Sequence, residues 1–387
     1  MFKIQTLNKI AKCGLDNFDE KYEISDTVEN PDGIILRSFK MHDMEIGDNL
    51  KAVARAGAGT NNIPVDEYAK KGIVVFNTPG ANANAVKELT IAGLLLASRK
   101  ITDAVDWAKT LKGNGDNVGP MVEKGKSAFA GPEIKGKTLG VIGLGAIGVQ
   151  VANAAEALGM KVIGYDPFLS VEAAWAINTS IKKSNDINRI FAVCDYITLH
   201  LPLNDNTRGL VNAELLENAN EGIRILNFAR GELVDTKALL EALESGKVAS
   251  YVTDFPNDEV IGVKNVVAIP HLGASTPESE DNCATMAGKE LVDYLENGNI
   301  NNSVNYPSCS MPRSGDLRIT IAHLNKQSML SQISSIISGH GINIENMINK
   351  SKKDYAYTII DASGTVEDND IQAIADIEGV LKVRIIK

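Results

Sequence analysis

The sequence predicts an α/β protein that combines a doubly wound parallel sheet with a smaller βαββαβ domain at its C-terminal end. Three observations support this fold class. Short apolar runs alternate with polar helical stretches through most of the chain, as strands and helices do around a parallel sheet. A glycine turn of the form G-x-G-x-x-G follows one apolar run and opens a helical pattern. The pattern of residues 316–387 is strand, helix, strand, strand, helix, strand.

The composition indicates a globular protein and argues against several classes of partner. The chain has 387 residues, of which 44% are hydrophobic, and its net charge of −10 at pH 7 disfavours nucleic acid and anionic membranes as partners. No apolar run approaches the roughly 18 residues of a membrane span, and the N-terminus lacks a signal-peptide pattern. The four cysteines are far apart, so we expect neither a disulfide framework nor a metal site. We predict a soluble, cytoplasmic protein.

Residues 1–92, completed by residues 273–300, are predicted to form a flavodoxin-like α/β domain. Its apolar runs are Phe2–Leu7, Gly33–Arg37, Ala52–Ala56 and Ile73–Asn77. Parallel sheets bind ligands at the carboxyl ends of their strands, where this domain carries Arg37, Lys40 and Arg55. The three cations could form an anion-binding site at this edge, although any single one of them is more often a solvated surface charge.

A long helix and a doubly wound domain follow. Residues 87–111 are predicted to form one helix, apolar nearly all round in its first half and therefore buried, and residues 112–120 a loop. Residues 93–272 are predicted to form a second α/β domain inserted in the first. Beyond the glycine turn, its strands are expected at Asp195–Leu201, Ile223–Ala229, Ser250–Phe255 and Asn265–Ile269, and a helix at Thr236–Ser245.

The stretch Lys137–Asp166 contains a dinucleotide-binding fingerprint in its strand, turn, helix, strand context. The turn comprises Gly143, Gly145, Ala146, Ile147 and Gly148. The first glycine permits the turn, the second lets the backbone approach a pyrophosphate at a helix N-terminus, and the third lets the helix pack on the strand. Asp166 can accept hydrogen bonds from a ribose diol and would repel a 2′-phosphate. The inserted domain is therefore predicted to be a Rossmann domain that binds NAD.

The C-terminal part is predicted to be a linker and a small domain. Residues 301–315 are rich in Asn, Ser and Pro without any period, which is typical of a linker. Residues 316–387 are predicted to form a ferredoxin-like domain. Its expected elements are Leu317–His323, Ser328–Gly339, Asn343–Lys350, Ala356–Asp361, Asp368–Ile377 and Val380–Ile385. Because this domain has no cluster of titratable groups, a regulatory or assembly role is the default hypothesis.

Arginine, acid and histidine follow three successive predicted strands of the Rossmann domain. Hydride transfer from an alcohol needs a base for the hydroxyl proton, and His271 directly after a strand occupies a cleft position. Arg230 can present its planar fork to a carboxylate. Asp258 and Glu259 follow the intervening strand, and a carboxylate beside an imidazole favours its charged form. For His200, inside a strand end, a packed and hydrogen-bonded histidine is the better interpretation.

These motifs together resemble the D-2-hydroxyacid dehydrogenase family over almost the whole chain. The matching stretches are R-A-G-A-G-T-N-N-I-P, the glycine turn, L-H-L-P-L-N-D-N-T, N-F-A-R-G-E-L-V-D and P-H-L-G-A-S-T. The resemblance implies NAD-dependent oxidation of 3-phospho-D-glycerate to 3-phosphohydroxypyruvate, the first step of phosphorylated L-serine synthesis, by a homodimer or homotetramer. Glycerate, lactate or 2-hydroxyglutarate are alternative substrates. An NAD-sensing corepressor is the alternative outside catalysis.

The resemblance also implies roles for individual residues. The catalytic set maps to Arg230, Glu259 and His271. The family has D-V-F-x-x-E where this chain has D-F-P-N-D-E, so a gapless count selects Glu259, which we prefer, and alignment on Phe255 selects Asp258. Cofactor contacts beyond the glycine turn and Asp166 are expected at His200, Pro202, Thr207, Ala229, Arg230, Asp254, His271 and Gly273. Substrate contacts are expected at Arg37, Lys40, Ala58, Gly59, Asn82, Arg230 and His271.

The C-terminal domain resembles the ACT modules that bind L-serine in serine-controlled members of the family. His323, Asn325 and Asn343 match the residues that hold the effector there. Ser328 replaces a family glycine whose missing Cβ lets the backbone approach the effector, and its side chain would crowd that space. Phe39 likewise replaces a second phosphate-binding arginine in the first domain, so Lys40 is expected to substitute for it.

Overall fold

The computed structural model describes residues 1–315, 317–339, 341–364 and 367–387. The strands within these ranges are β1 (Phe2–Leu7), β2 (Tyr22–Ser25), β3 (Gly33–Leu36), β4 (Ala52–Arg55), β5 (Val74–Phe76), β6 (Thr138–Ile142), β7 (Lys161–Tyr165), β8 (Lys182–Lys183), β9 (Tyr196–Leu199), β10 (Ile223–Asn227), β11 (Val248–Thr253), β12 (Val266–Ala268), β13 (Leu317–Leu324), β14 (Asn343–Lys352), β15 (Tyr355–Ser363) and β16 (Val380–Ile386).

The helices within the same ranges are α1 (Lys12–Leu15), α2 (Val65–Lys70), α3 (Ala83–Arg99), α4 (Ile101–Thr110), α5 (Val118–Gly125), α6 (Ala146–Ala157), α7 (Val171–Ala176), α8 (Ile187–Val193), α9 (Ala213–Glu217), α10 (Thr236–Glu244), α11 (Pro277–Asn297), α12 (Met329–Gly339) and α13 (Asp368–Ala375). Short 3-10 helices lie at Gly115–Asn117, Lys126–Phe129 and Gly231–Leu233. The chain forms two compact units, one of Met1–Asn82 with Pro277–Lys387 and one of Ala83–Thr276. None of the described helices has the length and hydropathy that a bilayer crossing requires.

The first unit contains a parallel sheet with the strand order β2-β1-β3-β4-β5. The four predicted strands are present, and β2 is an additional one. Its sequence Y-E-I-S has a weak apolar pattern because β2 is an edge strand with one fully buried side chain, Tyr22. Helix α11 packs its buried face, including Ala287, Leu291 and Leu295, into the core of this sheet.

The segment predicted as a linker is packed against the first sheet. Ser303 pairs with Phe76 in an antiparallel bridge. The Asn305 side chain hydrogen bonds to Val75 N–H at 2.9 Å and to the Ile73 carbonyl at 2.9 Å. This segment has no hydrophobic period because individual side chains, each with its own hydrogen-bond partners, hold it against the sheet.

The second unit is a doubly wound Rossmann domain. Its seven-stranded sheet has the order β12-β11-β10-β9-β6-β7-β8, and every strand pair in it is parallel. Strand order reverses at the β6–β9 pair, which is where such sheets bind ligands. The fingerprint strands and helix are present at the predicted positions.

The prediction of one continuous helix over residues 87–111 is wrong. Lys100 adopts φ 45°, in the left-handed region, and separates α3 from α4. Helix α3 is buried on the face that carries Val86, Leu94 and Ala97, whereas α4 has no buried residue, so packing does not hold the two in one axis. The predicted loop 112–120 is also partly helical, because α5 begins at Val118.

The C-terminal domain has the predicted βαββαβ order and belongs to the first unit. Its antiparallel sheet has the strand order β14-β15-β13-β16, and α12 and α13 pack on one face. The opposite face contributes Tyr357 and Ile359 to the core that contains Tyr294, Leu295 and Tyr306. The two sheets of this unit therefore share one hydrophobic core.

Candidate active site

The glycine turn between β6 and α6 has the geometry that the fingerprint requires. Gly143 has φ 94°, and a Cβ there would lie 2.5 Å from the His200 carbonyl oxygen. A Cβ on Gly148 would lie 1.9 Å from the Gly143 carbonyl oxygen, so the helix packs directly on the turn. A Cβ on Gly145 would meet nothing within 4 Å. Packing within the protein therefore explains the first and third glycines, and the second leaves open space beside the helix N-terminus.

The N-terminus of α6 and Asp166 fit a dinucleotide. No side chain caps the first turn of α6, which Ala146 and Ile147 begin, so its N–H groups can bind a pyrophosphate. The Asp166 carboxylate accepts hydrogen bonds from Leu144 N–H and Phe168 N–H, both at 2.8 Å. Each oxygen keeps a lone pair for a ribose hydroxyl. The open space at the second glycine, the uncapped helix and this carboxylate together fit NAD.

A buried asparagine holds the turn that carries Arg230. Asn227 Nδ2 donates to the Arg230 carbonyl at 2.8 Å and to the Tyr251 hydroxyl at 3.2 Å, and Asn227 Oδ1 accepts from Ala229 N–H at 3.2 Å. The Arg230 guanidinium lies 5.9 Å from the ring centroid of Phe255. Asn227 is not among the site residues predicted from the sequence. One amide at the end of an otherwise apolar strand was the available signal.

His271 lies beside the same aromatic ring. The ring centroids of Phe255 and His271 are 4.6 Å apart, and His271 is exposed. Asp254, which is 1% exposed, accepts from Gly273 N–H at 3.0 Å, and its Oδ1 has no partner among the described residues. Burial raises the pKa of Asp254, and the Gly273 hydrogen bond and His271 oppose this shift. Asp254, Phe255 and His271 line a cavity of about 720 Å³ within the second unit.

The two candidate acids lie in the turn after Phe255. Asp258 and Glu259 are both exposed, and Asn257 Oδ1 holds the turn by accepting from Val260 N–H at 3.0 Å. In the part of the chain that the structure describes, no carboxylate forms a hydrogen bond or ion pair with the His271 ring. The structure brings Arg230 and His271 to one aromatic ring, and the choice of acid stays a prediction.

His200 is a packed histidine. His200 is partly buried, its Nε2 hydrogen bonds to the Thr198 hydroxyl at 3.0 Å, and its buried Nδ1 has no partner among the described residues. Burial lowers the pKa of His200 to about 3. The His200 backbone passes the first fingerprint glycine, since its carbonyl oxygen would lie 2.5 Å from a Cβ on Gly143. In the following loop, the Thr207 hydroxyl donates to the Pro202 carbonyl at 2.7 Å and accepts from Asn204 N–H at 2.9 Å.

The candidate anion site of the first unit is partly neutralised by its own neighbours. Arg37, at the end of β3, donates to Glu280 of α11 at 2.9 Å, and both side chains are 43% exposed. The Arg55 guanidinium donates to the backbone carbonyls of Arg37 and Gly59. Lys40 is exposed and pairs with Asp43 at 3.7 Å. Of the three predicted cations, Arg55 is a support for the loops, and Arg37 is held by an acid.

The remaining substrate candidates lie on two neighbouring loops. Ala58 is exposed, and its carbonyl accepts from Asn77 Nδ2 at 2.6 Å. Gly57 follows β4, and its carbonyl accepts from Thr78 N–H at 3.2 Å. These bonds join the loop that contains Ala58 and Gly59 to the loop that leads to Asn82.

The predicted effector residues of the C-terminal domain are engaged within that domain. His323 is buried, and its ring hydrogen bonds to the Thr358 hydroxyl at 2.9 Å and to the Leu324 carbonyl at 2.8 Å. Asn325 donates to the Lys353 carbonyl at 3.1 Å, and Asn343 donates to Glu345 at 2.9 Å. Ser328 has φ 63°, in the left-handed region that glycine adopts more readily than serine.

Comparison with known proteins identifies relatives of this chain. Residues 91–273 match the family described as D-isomer specific 2-hydroxyacid dehydrogenase, NAD binding domain. The D-3-phosphoglycerate dehydrogenase of Methanocaldococcus jannaschii is 34% identical over 324 residues, which cover 81% of this chain and 59% of that protein. The protein of the same name from Synechocystis is 36% identical over 313 residues, covering 79% and 54%. The chain thus spans little more than half the length of these relatives.

Solved structures show the same fold. The NAD⁺-bound 3-phosphoglycerate dehydrogenase of Entamoeba histolytica matches with a TM-score of 0.60 and 29% identity, covering 78% of this chain and 98% of that one. The D-mandelate dehydrogenase of Rhodotorula graminis matches with a TM-score of 0.68 and 22% identity, covering 81% and 99%. At that identity, the second likeness concerns the fold alone.

Proposed function

The chain belongs to the D-2-hydroxyacid dehydrogenase family, whose NAD-binding domain it carries at residues 91–273, and we propose that it oxidises 3-phospho-D-glycerate to 3-phosphohydroxypyruvate with NAD⁺. The grouping of Arg230 and His271 around Phe255, in the unit that carries the glycine turn, is the observation that supports this most. The relatives named D-3-phosphoglycerate dehydrogenase support the choice of substrate.

The proposed chemistry divides binding and proton transfer between two side chains. When bound, NAD⁺ supplies the acceptor for the hydride that leaves C2 of the substrate. Arg230 binds the substrate carboxylate with its planar guanidinium and polarises the C2 oxygen. His271 takes the proton of the C2 hydroxyl, which a neutral imidazole does well near neutral pH. Glu259 stabilises the resulting imidazolium. The buried Asp254 aligns the backbone at Gly273, next to this base.

The substrate phosphate is assigned to the first unit. Arg37 supplies the main positive charge, with Lys40 as a second cation and the loop backbone at Ala58 and Gly59 as hydrogen-bond donors. Asn82, at the end of the neighbouring loop, supplies an amide. The position of Arg37 at a strand's carboxyl end, and the hydrogen bonds that join the two loops, support this assignment.

Assays of the purified full chain test the proposal. We expect NAD⁺ reduction with 3-phosphoglycerate and NADH oxidation with phosphohydroxypyruvate, and weaker turnover of glycerate, lactate and 2-hydroxyglutarate. A preference for one of the unphosphorylated acids would show that the protein has a different substrate within the same family of reactions. No turnover with any of them would favour an NAD-sensing binding protein instead.

The acid in the proposed mechanism can be identified by a matched pair. Glu259→Gln and Asp258→Asn change neighbouring exposed side chains by one atom each. We expect the first to shift the pH dependence of kcat/KM, because a carboxylate beside an imidazole stabilises its charged form, and the second to leave it unchanged. The reverse pattern would assign the role to Asp258.

We further propose a homodimer or homotetramer and control by L-serine at His323, Asn325 and Asn343. The motif match at these three residues and the glycine-like left-handed backbone at Ser328 support serine binding. The His323 ring is already hydrogen bonded to Leu324 and Thr358. Serine must therefore either displace one of these bonds or bind through Asn325 and Asn343. Light scattering measures the assembly. Inhibition of the reverse reaction by millimolar serine, lost in Asn343→Ala, tests the effector site.

A further inference from the structure

A polar cavity in the first unit has no role in the proposed reaction. It has a volume of about 500 Å³ and lies between one face of α11, the loop at Gly80–Ala81 and the segment at Asn301–Asn302. This volume is in the range of small-molecule sites. Its lining is mixed in charge, because Lys289, Glu290 and Asp293 of α11 all contribute to it.

Glu290 is the feature of this cavity that calls for a ligand. Its side chain is 7% exposed, in a helix whose neighbouring positions Ala287 and Leu291 belong to the hydrophobic core. Oε1 accepts from Asn302 Nδ2 at 2.7 Å, whereas Oε2 is buried and has no hydrogen-bond partner among the described residues. A buried acceptor without a partner destabilises the folded state, and an apolar side chain here would avoid that cost.

The missing partner is a hydrogen-bond donor with a positive charge. Burial raises the pKa of Glu290 to about 8, against the opposing Asn302 hydrogen bond, so without a ligand the group holds a proton near neutral pH. A bound cation would favour the carboxylate form and supply the missing partner of Oε2. Asp293, one turn further on, has both oxygens occupied by amides of Asn297, Asn299 and Asn301 and adds a second negative charge. An ammonium group bound at Oε2 would complete the hydrogen bonding of Glu290 and be attracted by both acids.

The chemistry of the cavity rim selects among cations. In the described ranges, no group of three or more His, Cys, Asp or Glu side chains is arranged as a set of metal ligands. Lys289 is exposed and lines the same cavity, so its positive charge would repel a bare cation. It would instead pair with a carboxylate of the same ligand. The ammonium and the carboxylate of a zwitterion would therefore each meet a group of opposite charge, Glu290 and Lys289, on the same face of α11.

From these contacts we infer that the cavity binds a free α-amino acid, with the ammonium on Glu290 and the carboxylate on Lys289. The amides of Asn282 and Asn302 and the hydroxyl of Thr285 complete a polar lining for a small side chain. This site is distinct from His323, Asn325 and Asn343 of the C-terminal domain. The inference concerns binding and does not depend on the proposed reaction.

The site is hydrogen bonded to the candidate substrate loop. Asn302, the partner of Glu290, accepts from Asn77 N–H at 3.4 Å through its carbonyl, and Asn77 Nδ2 donates to the Ala58 carbonyl at 2.6 Å. Asn302 itself has φ 56°, a left-handed conformation that fixes its side-chain direction. An amino acid on Glu290 would thus act on the loops assigned to the substrate phosphate, a consequence that rests on the proposed function.

Binding is tested by calorimetry on the full chain with glycine, L-alanine, L-serine and L-threonine as separate probes. We expect at least one to bind the wild type, and Glu290→Gln and Lys289→Met each to weaken that binding about tenfold or more. Glu20→Gln, an exposed acid of the same unit, is the matched control and should bind like the wild type. Ethanolamine, which lacks the carboxylate, should bind about tenfold more weakly than serine.

Several outcomes would overturn the inference. The first is that none of the probes binds. The second is that Glu290→Gln and Lys289→Met both leave binding intact, and the third is that ethanolamine binds as tightly as serine. Binding that is lost in Asn343→Ala but retained in Glu290→Gln would place the amino acid in the C-terminal domain instead. Lys289→Met changes an exposed side chain and so tests the site even where Glu290→Gln lowers stability. A loss of enzymatic turnover with intact binding would count against the proposed function alone.

Discussion

At the scale of single residues, burial separates the two histidines of the Rossmann domain. His200 is partly buried, and its pKa, lowered by burial to about 3, keeps the ring neutral near neutral pH. His271 is exposed beside Phe255 and lines the cavity of its unit. Both follow apolar strands in the sequence, so only burial shows which imidazole can exchange a proton with a substrate.

His271→Ala should lower turnover by about 10²-fold or more, because it removes the proposed general base. NADH binding, followed by fluorescence, should persist, since the glycine turn and Asp166 are unchanged. His42→Ala, at an exposed histidine of the first unit, serves as the control and should keep full turnover. Turnover of His271→Ala at the wild-type level would remove this residue from the mechanism.

Glu280→Gln should lower KM for phosphoglycerate roughly two- to fivefold. The change releases Arg37 from an exposed ion pair worth about 0.2–1 kcal/mol and removes a negative charge next to the proposed phosphate position. KM for unphosphorylated glycerate should stay the same. An increase of KM for phosphoglycerate would show instead that Glu280 orients Arg37 for binding.

The buried Glu290 predicts a signed dependence of stability on pH. Its pKa is raised from 4.5 to about 8 in the folded protein, so between these pH values the folded state holds a proton that the unfolded state has lost. The free energy of unfolding should therefore fall with rising pH, by up to about 1.4 kcal/mol per pH unit from this group. Urea unfolding of wild type and Glu290→Gln isolates this slope. Parallel curves for the two proteins would contradict the assigned burial.

At the scale of secondary-structure elements, the glycine turn shows two different reasons for the same residue type. Gly143 and Gly148 are required by contacts within the protein, at 2.5 and 1.9 Å for an added Cβ. Gly145 has no such contact, so the protein's own fold does not require it. Its absence of a side chain has a physical reason only when a ligand approaches the backbone there.

Gly145→Ala and Gly148→Ala should therefore separate binding from stability. We expect the first to unfold at the wild-type urea concentration but to bind NADH at least tenfold more weakly, through steric overlap with the pyrophosphate. The second should lose about 1–3 kcal/mol of stability, because a Cβ overpacks the helix against the turn. Equal destabilisation by both changes would show that Gly145 is also needed for folding.

At the scale of the whole molecule, the first unit joins segments from both ends of the chain into one core. Arg384 of β16 donates to the carbonyls of Tyr294 and Leu295 at 3.1 and 2.8 Å and stacks on the Tyr294 ring at 4.5 Å. Arg318 forms a fully buried bidentate pair with Asp361. We infer that the C-terminal sheet and the parallel sheet of this unit unfold cooperatively.

Asp361→Asn should destabilise this unit by about 3–5 kcal/mol, because it leaves the buried Arg318 charge uncompensated. Hydrogen exchange should accelerate in β13–β16 and also in α11, since they share a core. Asp354→Asn, at an exposed position of the same domain, should change neither region. Faster exchange confined to the C-terminal sheet would mean that this domain unfolds independently.

The sequence alone was sufficient for most strands of the two parallel sheets, the glycine turn with Asp166 and the βαββαβ domain. These features are encoded locally, in hydrophobic period, glycine conformation and the placement of one acid, so a short window contains their full signal. The break at Lys100 was missed although it is local, because lysine rarely adopts a left-handed conformation and the pattern on both sides of it is helical.

Only the tertiary structure determined which polar groups meet. The Arg37–Glu280 pair joins positions 243 residues apart. The roles of Asn227, Phe255 and the unpartnered oxygen of Glu290 depend on spatial neighbours that the hydrophobic pattern of the sequence does not predict. The same holds for the packing of the C-terminal sheet on the core around α11. The physical reason is that hydrogen bonds and ion pairs depend on distances of about 3 Å between side chains. These distances are determined by the tertiary fold and not by the local sequence.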